Sequence, residues 1–528
     1  MKEQNDHRNT GTERLSERRS GNSTICTKEP ETRQVELISN NVRQCNLQDG
    51  VSSFCCDCNS NVCVQCEKIH GSHQTIKVCE GSRLVKTNMS KNVKQLRNMI
   101  LYANVVMKDM DSYLDKLDVH LAEITSEVME RALMLPEGCQ NISDALINDI
   151  KAEHDIETDR VRNKISEFEQ FVASAKSLFI SCENMTNSTD DAFVTAKGSG
   201  LIKSVKGLIA ELPEPLKDRC LYVLTPVPKV TDDQTLTAEQ IAGEFSKVSV
   251  PWRIEVKRTG SFKPDSLNAR FVTTMCPAND EDVWVVWQWG PQIHLVDKNG
   301  NVKKTISVGV KVDDICTHGD TLVVSSHEAK CIKILDNNHE VIKTISMDLV
   351  PRGVMFNDSN ELVTCCVQNL HHKKGDTSTV MVTNVEREEQ TELPCREHLV
   401  QPWRVAVNVN DDICVSDRNK GQVLIFDHEG TLKTSYSGPD NDTRHALAPH
   451  AIVCDKYGQI LIVDYTNHTV HVLDPLGRFR GFLIMDTELE KRAIFMGTSS
   501  PFAITVDSVG DVWVGNKFGY LTVLKYCV

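Results

Sequence analysis

The sequence contains no long apolar run and no apolar N-terminal segment. No stretch approaches the roughly 18 to 20 consecutive apolar residues of a membrane-spanning helix. The first residues, MKEQNDHRNT, are polar and lack the apolar core of a secretory signal. These absences predict a cytoplasmic protein with no membrane partner. In that reducing compartment the 20 cysteines should be metal ligands or buried thiols, not a disulfide framework.

Positive charge is also in deficit. Lys and Arg number 59 against 73 Asp and Glu, which gives a net charge of −14. This balance argues against a general polyanion-binding protein, although it leaves a local basic face open. The sequence shows neither a phosphate-binding loop nor a nucleophile–base arrangement. We therefore expect no catalytic residues, no organic cofactor and no enzyme activity.

The chain of 528 residues is too long for one core, and its character changes along its length. We expect a multidomain protein with a small zinc finger, a long α-helical coiled coil and a C-terminal all-β six-bladed propeller. A polar, disordered tail is predicted first. The predicted bounds are 1–40 for the tail, 41–82 for the finger, 83–185 for the coiled coil, 186–250 for a linker with one short helix, and 251–528 for the propeller.

A dense cluster of metal-ligand residues lies in FCCDCNSNVCVQCEKIHGSH, residues 54–73. Three consecutive pairs are each separated by two residues, a spacing that lets one tight turn present two ligands to zinc. With one cysteine upstream they give seven donors, nearly enough for two structural Zn²⁺ ions. The candidate ligands are Cys45, Cys55, Cys58, Cys63, Cys66, His70 and His73.

Downstream of the cluster, apolar residues alternate at steps of three and four from Val93 to Val128, which indicates a coiled coil. This seam would expose a continuous apolar stripe on a single helix, so we predict a homodimer through it. LPEG at 135–138 should end the helix. A second helical pattern follows at 161–179, and it could fold back on the first helix or continue the rod.

From about residue 251 the pattern changes to an alternation of two, in repeats near 45 residues, which predicts a β-propeller. Four repeats end in a hairpin turn that begins with an equivalent aspartate. The last repeat lacks its outer strand, and WRIEVKR at 252–258 has the alternation to supply it. The equivalent aspartates are Asp297, Asp336, Asp427 and Asp474.

Other residues of the propeller have mostly structural interpretations. Asp417, Arg418, Asp464 and His468 are expected to fix turns by hydrogen bonds. The three tryptophans Trp284, Trp287 and Trp289 are expected to share one face of a strand and to pack between blades, with an exposed aromatic patch as the less favoured alternative. Cys365 and Cys366 are expected to be buried strand residues.

The order Cys45, Cys55-x2-Cys58, Cys63-x2-Cys66 and His70-x2-His73 resembles a B-box zinc finger. A B-box followed by a coiled coil and an NHL-type propeller is similar to the tripartite-motif proteins. The resemblance implies a cross-braced finger, in which Cys55, Cys58, His70 and His73 form one zinc site. Cys45, Cys63 and Cys66 would form the other, where Gln48 stands in the fourth place and Asp49 is a possible substitute.

The sequence departs from the ubiquitin ligases of that family because residues 1–44 contain only His7 and Cys26 as potential RING ligands. Ligase activity is therefore not implied, unless partners that carry a RING supply it. The resemblance implies antiparallel pairing of the coiled coil. We interpret the chain as a non-catalytic dimeric scaffold whose propeller recruits a protein. The alternative is an RNA-binding post-transcriptional regulator that uses the propeller face.

Overall fold

The structure is a computed structural model. It describes residues 51–58, 60–63, 73–135, 140–225, 237–251, 256–263, 271–279, 281–371, 373, 375–439, 445–484 and 500–526. The predicted tail, Cys45, Asp49, Cys66 and His70 lie outside these residues. The chain divides into two compact units, Met1–Val78 and Cys79–Val528.

The described part of the first unit forms a three-stranded sheet. Its strands, in the order β2-β1-β3, are β1 (Val51–Cys55), β2 (Ser60–Cys63) and β3 (Thr75–Ile76). Both neighbours are antiparallel to β1, and Cys55 pairs with Ser60 on one side and Thr75 on the other. The central strand therefore ends at the predicted ligand Cys55.

Helices follow, and the first two are long. The helix bounds in the described chain are α1 (Val78–Ala132), α2 (Gln140–Thr186), α3 (Asp191–Ala210) and α4 (Ala238–Ala242). Helix α1 ends just before the predicted break at 135–138, of which only Leu135 is among the described residues, and α2 begins after it. At the next junction, Asp190 caps α3 by accepting a hydrogen bond from the Phe193 backbone N–H at 2.9 Å.

Helix α2 folds back on α1, which decides between the two arrangements that the sequence left open. Tyr113 Oη donates to Glu157 Oε1 at 3.0 Å, where the carboxylate is fully buried. Farther along α1, Asp118 pairs with His154 at 3.1 Å. Because contacts farther along α1 fall earlier on α2, the two helices are antiparallel.

The buried side of α1 only half follows the predicted coiled-coil seam. One predicted row is buried: Leu96, Ala103, Met110 and Leu117. The second buried row lies one residue earlier than predicted: Asn92, Met99, Val106 and Tyr113. The corresponding predicted row is only half-buried over most of its length, at Val93, Ile100, Met107, Leu114 and Leu121, and is buried at its last member, Val128. Packing within the monomer therefore rotates the buried seam by one residue and leaves this half-buried row beside it.

The stretch predicted as a linker, 186–250, contains more structure than one short helix. Besides α3, it forms a two-stranded sheet from β4 (Asp218–Leu224) and β5 (Phe245–Pro251). This hairpin packs on α1, where Tyr113 Oη accepts from the Cys220 N–H at 2.8 Å and His120 stacks on Tyr222. The linker interpretation missed it because the strands become ordered through contacts far away in sequence.

The described residues from 256 onward form six four-stranded antiparallel sheets. The first three contain β7 (Val272–Pro277), β8 (Asp282–Trp287), β9 (Gln292–Asp297) and β10 (Val302–Ser307); β11 (Asp314–His318), β12 (Thr321–Ser326), β13 (Cys331–Leu335) and β14 (Val341–Ser346); and β15 (Val350–Phe356), β16 (Leu362–Val367), β17 (Ser378–Asn384) and β18 (Glu389–Glu392).

The next two sheets contain β19 (Pro402–Val407), β20 (Ile413–Asp417), β21 (Gln422–Phe426) and β22 (Leu432–Tyr436); and β23 (Pro449–Cys454), β24 (Ile460–Asp464), β25 (Thr469–Leu473) and β26 (Phe479–Ile484). The sixth contains β27 (Pro501–Val506), β28 (Val512–Asn516), β29 (Leu521–Tyr526) and, from upstream, β6 (Val256–Phe262). The predicted closure is present, four residues later than the sequence indicated. The first strand of each sheet contacts the first strand of the next and β27 contacts β7, which makes a closed propeller.

The four equivalent aspartates fix hairpin turns, as predicted. In the first, Asp297 Oδ1 accepts hydrogen bonds from the backbone N–H groups of Asn299 and Asn301 at 2.9 and 2.8 Å. The same pair of bonds, to the second and fourth residues after the aspartate, recurs in the other three turns. At Asp336 the N–H groups that bond the carboxylate lower its pKa.

Two turn residues named from the sequence have the same role. Asp417, which is fully buried, accepts from the N–H groups of Gln401 and Lys420 at 2.9 and 3.0 Å. Asp464 likewise accepts from its own turn. Cys365 and Cys366 are both buried in β16, as expected, and burial raises the pKa of the Cys365 thiol to about 12.

The expectation that three tryptophans share a face is wrong. Trp284 and Trp287 are three residues apart on β8, so the alternation of a strand sends them to opposite faces. They belong to separate hydrophobic clusters, one on each side of the sheet. Trp289 lies beyond the strand in a left-handed backbone conformation, φ 49°, and contacts other aromatic rings.

Helix α1 contacts the end of the propeller at which the inner strands β7, β11, β15, β19, β23 and β27 finish, which we call the lower face. Lys94 pairs with Asp358 at 2.6 Å in one turn there. Asp109 forms an ion pair with Arg480, whose side chain is buried. Among the described residues, none of the helices is both long enough and apolar enough to cross a membrane.

Candidate metal centre and candidate binding face

Three predicted zinc ligands of the first unit lie together. Cys55 ends β1, Cys58 follows in the turn, and His73 lies just before β3. The His73 Nδ1 atom is 3.6 Å from Cys55 Sγ and 3.1 Å from Cys58 Sγ. The Cys58 backbone N–H points at Cys55 Sγ from 3.4 Å, as in a turn that presents two thiolates to one cation.

These distances fit a tetrahedral zinc ion. Ligands about 2.0 to 2.3 Å from Zn²⁺ lie roughly 3.5 Å from one another in tetrahedral geometry, and the three ligand atoms all lie within 4.8 Å of one another. Burial, followed by the neighbouring Cys55 thiol, raises the pKa of Cys58 to about 11. Zinc needs the thiolate, so binding here would release protons.

The other predicted ligands are not described at this site. Cys45, Asp49, Cys66 and His70 lie outside the described residues, and of Cys63 only the backbone, on β2 opposite Val51, is described. The structure therefore brings together three of the four ligands of one predicted site. The second predicted site stays a prediction.

A second candidate site lies at the end of the propeller where the inner strands begin, which we call the upper face. Five inner strands contribute their second or third residue, and Asp313 directly precedes the sixth, β11; these six residues surround the axis. We call them the upper ring. In blade order they are Thr273, Asp313, Arg352, Trp403, His450 and Phe502.

An irregularity in the pairing of the inner strands sets the positions of the ring residues. In five of the six described inner strands, the register to the second strand shifts at the ring residue, for example between Pro402 and Arg404. A bulge of this kind redirects a side chain out of the regular alternation. Strands β15 and β19 also approach closely, because a Cβ on Gly353 would lie 2.6 Å from the Arg404 Cα. Glycine next to Arg352 therefore permits this arrangement.

The polar half of the ring is held by buried ion pairs. Arg352 Nη1 lies 2.7 Å from Asp313 Oδ1, and both side chains are almost completely buried. The other Asp313 oxygen accepts the His327 N–H at 2.6 Å. One layer deeper, Arg404 Nη2 donates to the Asp313 carbonyl at 2.8 Å, and its Nε lies 3.4 Å from Asp314. Arg404 and Asp314 line a central cavity of about 240 Å³.

The aromatic half of the ring is continuous. The Arg352 guanidinium stacks on Trp403 at 3.8 Å from the ring centroid. Trp403 is 5.4 Å from His450, and His450 is 3.7 Å from Phe502, between ring centroids. The series continues around the face through rings that contact Phe502, namely Trp289, Tyr465 and Phe271.

Several polar atoms of the ring are buried without a hydrogen-bond partner. They are Arg352 Nε and Nη2, Asp313 Oδ1, Trp403 Nε1, His450 Nε2 and, beside the ring, Trp289 Nε1. Asp313 Oδ1 forms its ion pair with Arg352 Nη1 at 2.7 Å without hydrogen-bond geometry. His450 Nδ1 lies 2.8 Å from the Phe502 carbonyl oxygen, which can only accept, so the proton is on Nδ1 and Nε2 is an acceptor. Burial, and next the Arg404 charge, lowers the pKa of His450 well below its ordinary value, so the His450 imidazole is neutral. Burial also lowers the pKa of Arg352 to about 10.

The sequence analysis did not identify these residues, although a signal was present. In four inner strands a proline at the first or second position is followed directly by the ring residue: Pro351-Arg352, Pro402-Trp403, Pro449-His450 and Pro501-Phe502. Alignment of the repeats on their hairpin aspartates alone hid this pattern. Alignment on the prolines would have shown that large or charged side chains converge on one end of the axis.

One comparison with known protein families bears on the C-terminal repeats. A family model described as NHL repeat matches residues 399–426, and comparison with curated proteins gave no match. Among solved structures, the chain is similar to virginiamycin B lyase from Staphylococcus aureus, with 11% identity and a TM-score of 0.38 over 52% of this chain and 100% of that one.

It is also similar to the WD40 propeller domain of Doa1, with 12% identity and a TM-score of 0.38 over 52% of this chain and 97% of that one. A third similar structure, of a nidogen/laminin complex, has 13% identity and a TM-score of 0.37 over 45% of this chain and 85% of that one. These likenesses carry no conclusion about activity. The repeat match and the closed ring of sheets together support a β-propeller that contains an NHL repeat.

Proposed function

We propose that this chain is a non-catalytic scaffold of the tripartite-motif type without a RING, and that its propeller recruits a protein partner to the upper face. The upper face carries the proposal, because it presents a run of aromatic rings that are partly exposed, apart from the buried imidazole of His450, beside the exposed Arg418. Aromatic residues and arginine are among the types most enriched in protein interfaces. Helix α1 contacts the lower face, so recruitment and assembly would use opposite ends of the propeller.

The proposal includes structural zinc in the first unit. Support comes from the Cys55, Cys58 and His73 geometry, and the B-box resemblance adds His70 as the fourth ligand. A second, weaker ion would bind Cys45, Cys63 and Cys66, with Asp49 as the candidate fourth ligand. Metal analysis of the full chain during stepwise chelation should show two release phases, and Cys58→Ser should abolish the tighter one. One zinc per chain at saturation would eliminate the second site.

The proposal also includes a homodimer through α1 and no ubiquitin ligase activity of the isolated chain. Regulation of ubiquitin ligation would then require relatives that carry a RING. An assay with purified full-length protein, activating enzyme and a panel of conjugating enzymes tests this directly. Robust ubiquitin-chain formation by the protein alone would contradict it.

Crosslinking capture with the full chain tests recruitment. The variant Trp289→Ala with Tyr465→Ala removes two aromatic rings of the upper face. The matched control is Val509→Ala, which removes a side chain that is 50% exposed in a turn at the lower face. Proteins captured by the native chain and the control should be lost from the double variant.

Circular dichroism and thermal unfolding must first show that both variants are folded. If all three proteins capture the same set, the upper face is not the recruiting surface.

A further inference from the structure

We propose that the upper ring binds the side-chain carboxylate of an acidic peptide, with Arg352 as the residue that recognises it. This proposal rests on the scaffold function above, because it names the chemistry of the recruited partner. It starts from a buried arginine whose hydrogen-bonding capacity is only partly used.

The unused part of Arg352 has the shape of a carboxylate receptor. Asp313 takes the Nη1 corner at 2.7 Å, while Nε and Nη2 have no partner. These two nitrogens form one edge of the planar guanidinium, from which two parallel N–H groups bind the two oxygens of a carboxylate. The residue is only 3% exposed, so leaving this edge without a partner is costly. A ligand carboxylate would satisfy both donors at once.

Neighbouring groups hold that edge in place and extend the site. Asp313 and the Trp403 ring fix the guanidinium from one corner and one face. Trp403 Nε1 supplies one more buried donor without a partner. Next to it, His450 Nε2 needs a hydrogen-bond donor from the ligand. A peptide offers both kinds of group, since its carboxylate accepts and its backbone N–H donates.

The charge of the ring favours a carboxylate over a nucleic-acid backbone. Arg352 and Arg404 are balanced by Asp313 and Asp314, and of the three arginines described beside Trp403, Arg418 is the exposed one. Tight binding to a run of phosphates needs several uncompensated cations. The single buried Nε–Nη2 edge of Arg352, beside aromatic rings, instead suits one carboxylate whose neighbours on the peptide are apolar.

The test uses full-length protein and a bead library of randomised heptapeptides with amidated C-termini. Selected peptides should share an Asp or Glu at one position, and Asn or Gln there should weaken binding at least about tenfold in fluorescence anisotropy. Arg352→Lys keeps the positive charge but removes the fork. This variant should bind the acidic peptide at least about tenfold more weakly than the native chain does. It should also lose the preference for Asp or Glu over Asn or Gln. Arg418→Lys, an exposed neighbour, is the matched control and should bind like the native chain.

A second variant guards against a folding defect in Arg352→Lys. Trp403→Phe keeps a ring beneath the guanidinium and removes one N–H donor, so it should weaken binding by a few-fold. Selected peptides without a shared acidic residue, or full binding by Arg352→Lys, would overturn the proposal. Single-stranded RNA is measured in parallel. If no acidic peptide is selected and Arg352→Lys abolishes RNA binding, the ligand of Arg352 is an RNA phosphate and not a peptide carboxylate.

The two proposals fail in different ways. If the Trp289/Tyr465 double variant still loses partners but no acidic peptide is selected, the scaffold stands and the carboxylate is wrong. If the peptide binds as expected but partner capture does not depend on the upper face, carboxylate binding by the upper ring is supported and the recruiting role is wrong.

Discussion

At the residue scale, His450 should make the stability of the propeller depend on pH. Burial, then the Arg404 charge, lowers its pKa well below the ordinary value, with smaller contributions from Arg418 and Arg352. An unfolded histidine takes up a proton below about pH 6.5, whereas this one stays neutral in the fold. Stability therefore falls as pH falls through 6.5. Between pH 7 and 5.5 the loss should be about 1 kcal/mol.

Urea unfolding at both pH values measures this loss. His450→Phe should remove about 1 kcal/mol of the difference between the two pH values, whatever it does to stability at pH 7. The control is His428→Phe, because the His428 side chain is 62% exposed. An unchanged difference in the His450 variant would show that this histidine is protonated in the fold.

Two ion pairs between α1 and the propeller differ in burial, and the buried pair should contribute more to the free energy of unfolding than the exposed pair. Asp109 pairs with Arg480, whose side chain is 2% exposed, whereas Lys94 and Asp358 are 56% and 41% exposed. Asp109→Ala leaves a buried guanidinium with one partner fewer and should cost about 3 to 5 kcal/mol of unfolding free energy. Lys94→Ala should cost less than about 1 kcal/mol. Chemical unfolding measures both losses of free energy, and equal losses in Asp109→Ala and Lys94→Ala would contradict this difference between the two ion pairs.

At the scale of an element, the strand β6 closes the propeller, and Phe262 anchors it. Its ring meets Trp513 edge-on, with 6.1 Å between centroids, and packs against the cluster of the first and last sheets. Phe262→Ala should cost about 2 to 3 kcal/mol and loosen the outer edge of β29. Lys257→Ala, at an exposed position of the same strand, is the control. Thermal unfolding and hydrogen exchange of β29 would reveal the effect, and equal protection in both variants would refute it.

At the scale of the whole molecule, dimerisation should depend on the half-buried row of α1. Ile100→Lys with Leu114→Lys places charge in this row without disturbing the buried one. We expect a monomer by light scattering, with helical circular dichroism retained. Leu117→Lys instead places a charge at a side chain that is only 2% exposed, so it should unfold the pair of helices α1 and α2. A native chain that is already monomeric at micromolar concentration would refute the dimer.

How much the sequence predicted also depends on scale. Hairpin aspartates, the proline–glycine break after α1 and the strand repeats are local signals, because turns and helix ends depend on a few neighbouring residues. The order of helix, break, helix and propeller therefore followed from the sequence, as did the upstream origin of the closing strand. At the candidate metal centre, spacing named Cys55, Cys58 and His73 among seven candidate ligands, and the B-box resemblance implied that these three share one site.

The tertiary structure decided what depends on distant partners. It turned the buried seam of α1 by one residue, because α2 and the hairpin β4–β5 cover the helix from one side. It placed Trp289, beyond the end of β8, among the rings of the upper face. It gathered six residues, spread from 273 to 502, around one axis, where burial left one edge of Arg352 without a partner. Sequence carries the period of a repeat, but only closure of the ring determines which side chains meet at its centre.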